Sequence, residues 1–264
     1  MASEIPLGGG RVTGAIRVGD TVRRATGPWT PTAHAYLRHL ERRGFRGAPR
    51  VLGLDNDGRE ILTFLEGVVP SDSAWELGTP TPMPPDALTE EALGRAATLI
   101  RALHDAALDF VPAAPVWREY DRPTALGEIV CHGDLGPHNT VYRDGLPVGF
   151  IDWDGARPNL AELEAAQAAW WFVPLADEEY LRGFGFSEPP DVGRRLRVFF
   201  AAYGLADPER ILWLLPQAIQ RSTERLRYWP DLDAGGAARI LRYAASQLEW
   251  FAANADVLRA ALTR

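Results

Sequence analysis

The segment from His132 to Asn139, His-Gly-Asp-Leu-Gly-Pro-His-Asn, gathers two imidazoles, a carboxylate and a carboxamide within eight residues, and Asp152 and Asp154 follow it past a short hairpin. Ile129-Val130-Cys131 precedes the first group and Val148 to Ile151 precedes the second, so each polar cluster begins where a buried strand ends, on rigid support. A hairpin turning back between them returns Asp152 to the side of Asn139. One amide oxygen beside one carboxylate offers hard oxygen ligands suited to Mg²⁺, which takes few protein ligands and keeps its remaining positions for water and phosphate. Asp134 is then left to orient or deprotonate an attacking hydroxyl. Phosphoryl transfer asks for that division of labour. Singly, these residues read as turn formers and a hydrogen-bonded core histidine; the set as a whole, after two apolar strands, points to chemistry.

The elements that must position them follow from the hydrophobic pattern. Residues 5–24 alternate β-branched segments with glycines, and Gly19-Asp20 reads as a two-residue turn that pairs Val18 with Thr21 and Ile16 with Arg23. A helix is expected over 32–43, with Thr32 as N-cap and Gly44 as stop. RVLGL and EILTFL predict a second hairpin around Asn56-Asp57-Gly58. Residues 68–85, rich in Pro, Ser and Thr, read as a connector. A first lobe, residues 1–67, and a second, 68–264, are therefore expected. In the second, Leu93, Ala97, Ile100, Leu103 and Leu108 share one stripe of a helix over 89–108. EIVC, TVYRDG and LPVGFID follow as short strands. From about Leu160 the pattern is helical, with Asp207-Pro208 opening one helix and a long one running from about Ala237.

Composition narrows the function classes. A chain of 264 residues, 46% hydrophobic, fits one compact enzyme-sized unit or two small lobes. Its formal net charge of −7 argues against nucleic acid and anionic membranes as partners. No apolar run reaches the roughly 18 residues that cross a bilayer, and the opening MASEIPLGGG lacks a leader pattern. With Cys131 as the single cysteine, the expectation is a soluble, cytoplasmic protein. Every one of the 28 basic positions is arginine; lysine is absent.

His132-Gly133-Asp134, then Asn139, then Gly149-Phe150-Ile151-Asp152 resembles the catalytic loop and metal-binding aspartate of the aminoglycoside phosphotransferase family, relatives of the protein kinases. The likeness extends to Leu99-Ile100-Arg101-Ala102-Leu103-His104-Asp105-Ala106, similar to the family's helix with a Leu-His near its end, and to Leu62 through Gly67, similar to its hinge strand. The resemblance implies an α+β, bilobal, protein-kinase-like fold with a small β-rich N-lobe and a larger helical C-lobe. It implies Asp134 as the catalytic carboxylate, Asn139 and Asp152 as Mg²⁺ ligands, and the backbone of Phe64, Leu65 and Glu66 as the adenine contact. Gly8 to Thr13 would cover the phosphates. The implied reaction moves the γ-phosphate of ATP, or of GTP, to a hydroxyl of a small molecule: an aminoglycoside-like antibiotic, an amino alcohol or a sugar.

Two departures stand out. Kinase-like proteins hold the nucleotide phosphates with a strand lysine and hold that lysine with a helix glutamate. Here the candidate strand reads Thr21-Val22-Arg23-Arg24, and if Ile16 and Val18 face inward, so does Arg23; Arg24 is the second choice, and both read equally as solvated strand charges. The helix offers only Glu41, near its end, with His34 nearer its start, so the usual ion pair is not expected. A pseudoenzyme that binds nucleotide or metabolite without turnover is the alternative. A weaker one is a hydrolase with His132, Asp134, His138, Asp152 and Asp154 around a metal.

Overall fold

The computed structural model describes residues 3–8, 14–70, 78–229 and 232–262. Strands β1 (Glu4–Pro6), β2 (Ile16–Val18), β3 (Thr21–Arg24), β4 (Val51–Leu54) and β5 (Glu60–Thr63) form an antiparallel sheet in the order β1-β2-β3-β5-β4. The turn at Gly19-Asp20 sets the expected register, Ile16 opposite Arg23 and Val18 opposite Thr21. Residues 9–13, most of the expected phosphate loop, lie outside the described residues.

Helix α1 (Thr30–Arg42) leaves β3. It begins two residues earlier than expected, because Pro31 fits its first turn, where no backbone N–H is needed. Thr32 is therefore not the cap: its hydroxyl accepts from the Val116 backbone N–H. Gly44, at φ +79°, ends the chain's helical course as expected. One face of α1, Tyr36, Leu37 and Leu40, is buried against α2 (Glu90–Ala107). Thr89 caps α2 through the Ala92 N–H, and its apolar stripe carries Leu93, Ile100 and Leu103 into the same core.

The helical region also holds two small two-stranded sheets: β7 (Thr140–Arg143) with β8 (Leu146–Phe150), and β6 (Ile129–Cys131) with β9 (Arg157–Asn159). Helices α3 (Ala161–Phe172), α4 (Glu178–Phe184), α5 (Val192–Tyr203), α6 (Pro208–Glu224) and α7 (Ala234–Leu262) follow. Asp207 caps α6, and α7 starts three residues before the expected Ala237. The sheet and the helical region meet where Val68 and Tyr142 exchange backbone hydrogen bonds and where Gly47 O accepts from Phe150 N. No helix among the described residues is long and apolar enough to cross a membrane.

Candidate active site

Asp134, Asn139 and Asp152 are set by two strand ends and one hairpin. The β7–β8 pair places Thr140 opposite Phe150, and the Ile151 N–H donates to Asn139 O at 2.9 Å, so the residues just outside the hairpin, Asn139 and Asp152, come side by side. Asn139 donates Nδ2 to Asp134 at its backbone oxygen (3.0 Å) and at Oδ2 (3.1 Å), which leaves the amide oxygen as its ligand atom. Asp152 sits in the left-handed region at φ 62°, a conformation held by its surroundings, and its carboxylate is about half exposed. An amide oxygen and an accessible carboxylate are a donor set that fits Mg²⁺.

The loop from His132 to Asn139 is held from below. Gly133 has φ +85°, and a Cβ there would collide with Gly155 O, so the residue between His132 and Asp134 must be glycine. Its N–H and that of His132 both donate to Glu164, at 2.5 and 3.2 Å, from a carboxylate fully buried in α3. His104 Nε2 meets the same carboxylate at 2.9 Å while its Nδ1 meets the Tyr203 hydroxyl at 2.7 Å. Burial acts to raise the Glu164 carboxyl, but His104, His132 and the Gly133 N–H more than reverse it and hold it below the usual carboxylate range. His132 bridges Ile151 O through Nε2 and accepts the Asp134 N–H at Nδ1 (3.3 Å), and burial holds its pKa down. His132 and His104 are thus structural, as their apolar settings suggest.

The sheet contributes an arginine, and it is Arg24. Its guanidinium reaches Glu60 Oε1 (Nε, 2.8 Å), Asp152 Oδ1 (Nη1, 2.9 Å) and Asp154 Oδ1 (Nη2, 2.5 Å). Burial opposes the charged form, yet Asp152, Asp154 and Glu60 together raise the Arg24 pKa above its ordinary value. Arg23 points the other way, toward Thr21 Oγ1 (2.8 Å) and Asp55 (3.5 Å). The expected pairing is therefore present but the inward face is the opposite one: Arg24 lies across from Glu60 and Val22 from Leu62, and Glu60 and Leu62 are the buried residues of β5. A shift of one residue flips every side chain to the other face.

Glu60 was not expected in this place. It stands on a strand where a helix glutamate was sought, and His34 of α1 meets its Oε2 at 2.8 Å from the helix. A charged residue at an inward position of an apolar run is the signal that marks it. Glu164 carries a similar one, the buried one of two glutamates in α3, among Ala, Trp and Leu in a helix that is buried on nearly all sides.

On the far side, Asp134 Oδ1 meets Arg225 Nη1 at 2.5 Å and lies 3.7 Å from His138 Nε2. Burial would raise this carboxyl, but Arg225 and then His138 hold it well below the usual range. Arg225, in a 3₁₀ turn over Arg225–Tyr228, is fixed by Glu119 Oε2 (2.5 Å). After β5, Phe64 N donates to Asp20 O and Glu66 O accepts from Arg143, so Phe64 O and Glu66 N are left without a bond inside the protein among the described residues.

A five-residue metal cluster is not formed: Asp134 turns to Arg225 and Asp152 and Asp154 to Arg24. Among the described residues, the set of three potential ligands with atoms within 4.8 Å of one another is His104, Cys131 and Glu164, in the core.

Residues 112–199 match the family described as APH, phosphotransferase enzyme family. The trifolitoxin immunity protein of Rhizobium leguminosarum bv. trifolii is 37% identical over 215 residues, which cover 80% of this chain and 77% of that protein. Among solved structures, an ethanolamine kinase from Plasmodium vivax is similar with a TM-score of 0.60 at 13% identity, over 99% of this chain and 84% of the other. The GDP complex of aminoglycoside 2'-phosphotransferase-IIIa gives 0.55 at 16%, over 96% of this chain and 93% of the other. At these identities the likeness is one of fold, and it bears out the kinase-like α+β architecture, an N-terminal antiparallel sheet followed by a largely helical region. With its matched segment spanning the loop and both hairpin aspartates, and a relative of this identity over most of its length, the chain belongs to the APH phosphotransferase enzyme family.

Proposed function

We propose that this protein transfers the γ-phosphate of ATP or GTP to a hydroxyl of a small molecule, an aminoglycoside-like antibiotic, an amino alcohol or a sugar. The observation that carries the reading is the span from Arg24 on the sheet to Asp152 on the hairpin, which puts a fixed cation, an accessible carboxylate and the Asn139 amide around one point beside Asp134. In this reading residues 1–67 hold the nucleotide, with Phe64 O and Glu66 N at the base edge and Leu65 between them. Residues 68–264 carry the loop and the acceptor site.

Asn139 and Asp152 would hold Mg²⁺, which when bound neutralises charge on the transferred phosphoryl group. Arg24 gives the phosphates a cation in place of lysine, its position set by Glu60 and His34. Asp134 aligns the acceptor hydroxyl and takes its proton as the hydroxyl oxygen bonds to the γ-phosphorus and the nucleoside diphosphate leaves. The immunity named for the 37% identical relative supports a protective role, in which the acceptor is a toxic compound that phosphorylation disarms.

The Arg225 ion pair on Asp134 favours one second reading, a pseudoenzyme that binds nucleotide without turnover. A panel of hydroxylated acceptors scored for ADP or GDP release, with nucleotide affinity measured on the same protein, separates the two. Acceptor-dependent release supports the transferase; tight nucleotide binding with no release from any acceptor supports the pseudoenzyme.

A further inference from the structure

Next to Arg225, the ion-pair partner of Asp134, lies a solvent-open cleft of about 300 Å³ lined by α6, β9 and the 3₁₀ turn that carries Arg225. Three guanidiniums define its inner side. Arg225 bridges Asp134 and Glu119. Arg157 is buried on β9, bonded to Gly155 O at 3.0 Å and 3.6 Å from Glu119. Arg221 of α6 is held to Asn159 Oδ1 at 3.0 Å and has no carboxylate partner among the described residues. Residues 157 and 159 are two apart on one strand and so share a face, which places the Arg221 fork and Arg157 on the same side of β9.

Of the nearby carboxylates, Glu119, Glu128 and Asp121 are already engaged. Glu119 takes Arg225 and the Trp229 indole N–H (2.7 Å), Glu128 takes Arg122 (2.6 Å), and Asp121 takes Arg227 (3.3 Å). Glu224 is exposed at the rim, where its field falls on Arg122 and Arg227. Arg221 thus lines the cleft with no carboxylate at ion-pair distance among the described residues, and Arg157 shares Glu119 with Arg225. Arginine forks match the paired oxygens of an oxyanion.

We infer that this cleft is the acceptor subsite and that it selects a hydroxyl compound bearing an oxyanion, carboxylate or phosphate, which Arg221 and Arg157 bind while its hydroxyl reaches past Arg225 to Asp134. The inference rests on the phosphotransferase reading for its role and on the cleft alone for its ligand class. Of the acceptors proposed above it narrows the reading to those that carry an acid group, and away from a purely cationic aminoglycoside or amino alcohol.

Four pyranose probes isolate charge: D-glucuronate, D-glucose 6-phosphate, D-glucose and D-glucosamine, each titrated at millimolar concentration against the full chain by saturation-transfer NMR, with ATP binding measured in parallel. One or both anions should bind at least about tenfold more tightly than glucose and glucosamine. Whether glucuronate or the phosphate ester is preferred tells carboxylate from phosphate. Arg221→Gln should weaken the anion about tenfold or more while ATP affinity is unchanged. Arg221→Glu, a second change at an accessible position, should abolish it. No detectable anion binding, tighter binding of glucosamine, or anion binding that ignores both variants would overturn the inference. ATP binding that persists without anion binding removes the anion site alone; anion binding without ATP binding leaves the site and removes the phosphotransfer reading.

Discussion

Glu60 on β5 lies directly across from Arg24 on β3 in the antiparallel register, and its two oxygens divide between Arg24 Nε and His34 Nε2, each at 2.8 Å. A cross-strand neighbour thus restrains the Arg24 guanidinium, and His34 of the helix acts on it through Glu60. Glu60 is nearly buried, and Arg24 and His34 hold its carboxyl below the usual range against the effect of burial. Losing Glu60 removes a buried charged hydrogen bond but leaves Arg24 on Asp152 and Asp154, so Glu60→Ala should cost about 1.5–3 kcal/mol of stability. Denaturant unfolding reads this directly. A loss below about 1 kcal/mol, the range of exposed pairs, would show that Arg24 does not depend on it.

The same register separates the two arginines. Arg24→Lys keeps the charge but a single ammonium cannot span three carboxylates, and nucleotide affinity should fall by about 1.5–3 kcal/mol, as for one charged hydrogen bond. Arg23→Ala, on the opposite face with Asp55, should leave it within about 0.5 kcal/mol. Calorimetric titration of ATP into the two variants decides between them. Equal losses would mean that strand order, and not side-chain facing, governs binding.

Much of this site was legible because it is local. The loop from His132 to Asn139 and the hairpin to Asp152 lie in 21 consecutive residues, and hairpin pairing needs only a turn signal; Asp144 and Gly145 supply it with φ 51° and 74°. The pairing of Ile16 with Arg23 was legible for the same reason, from Gly19-Asp20. Which face of that pair turns inward was not, because it is decided by what α1 and β5 pack against it. In a strand of four residues, TVRR, both faces carry one arginine, so alternation gives no vote. Glu60, Glu164 and Arg225 were missed because their partners lie 36, 31 and 91 residues away along the chain. Tertiary packing alone brings them together.

Glu164 gives the chain a pH dependence. Its carboxyl is depressed in the folded state, so it contributes stability above its unfolded value, about 4.3, and that contribution is lost as the pH falls through its lower folded value. Glu164→Gln keeps the shape, removes the charge, and should flatten the acid limb of the stability curve while lowering stability near neutrality. Unfolding midpoints from pH 7 to pH 3 compare the two proteins. An acid limb as steep in the variant would place the titrating group elsewhere.

If Asn139 and Asp152 hold the metal, nucleotide affinity should depend on Mg²⁺ through them. Asp152→Asn retains the left-handed backbone, which Asn tolerates, but removes the charge. ATP affinity with Mg²⁺ should drop toward the value measured in EDTA, while the two values should differ about tenfold or more in the unaltered protein. Affinity insensitive to both Mg²⁺ and this change would remove the metal from the pair.

Asp134 is the sharpest test of the chemistry. Its Oδ2 accepts from Asn139 and its Oδ1 from Arg225, so Asp134→Asn keeps the size of the group and removes its power to take a proton. A general base is typically worth about 10²–10⁴-fold in rate, or roughly 3–5.5 kcal/mol of barrier at about 1.36 kcal/mol per tenfold. Turnover with an identified acceptor should fall by that factor with ATP affinity within about twofold of the original. Near-normal turnover would mean that Asp134 is not the base. A parallel collapse of ATP affinity would move it into the metal site, since Asn139, its hydrogen-bond donor, is the residue through which its loss reaches the nucleotide.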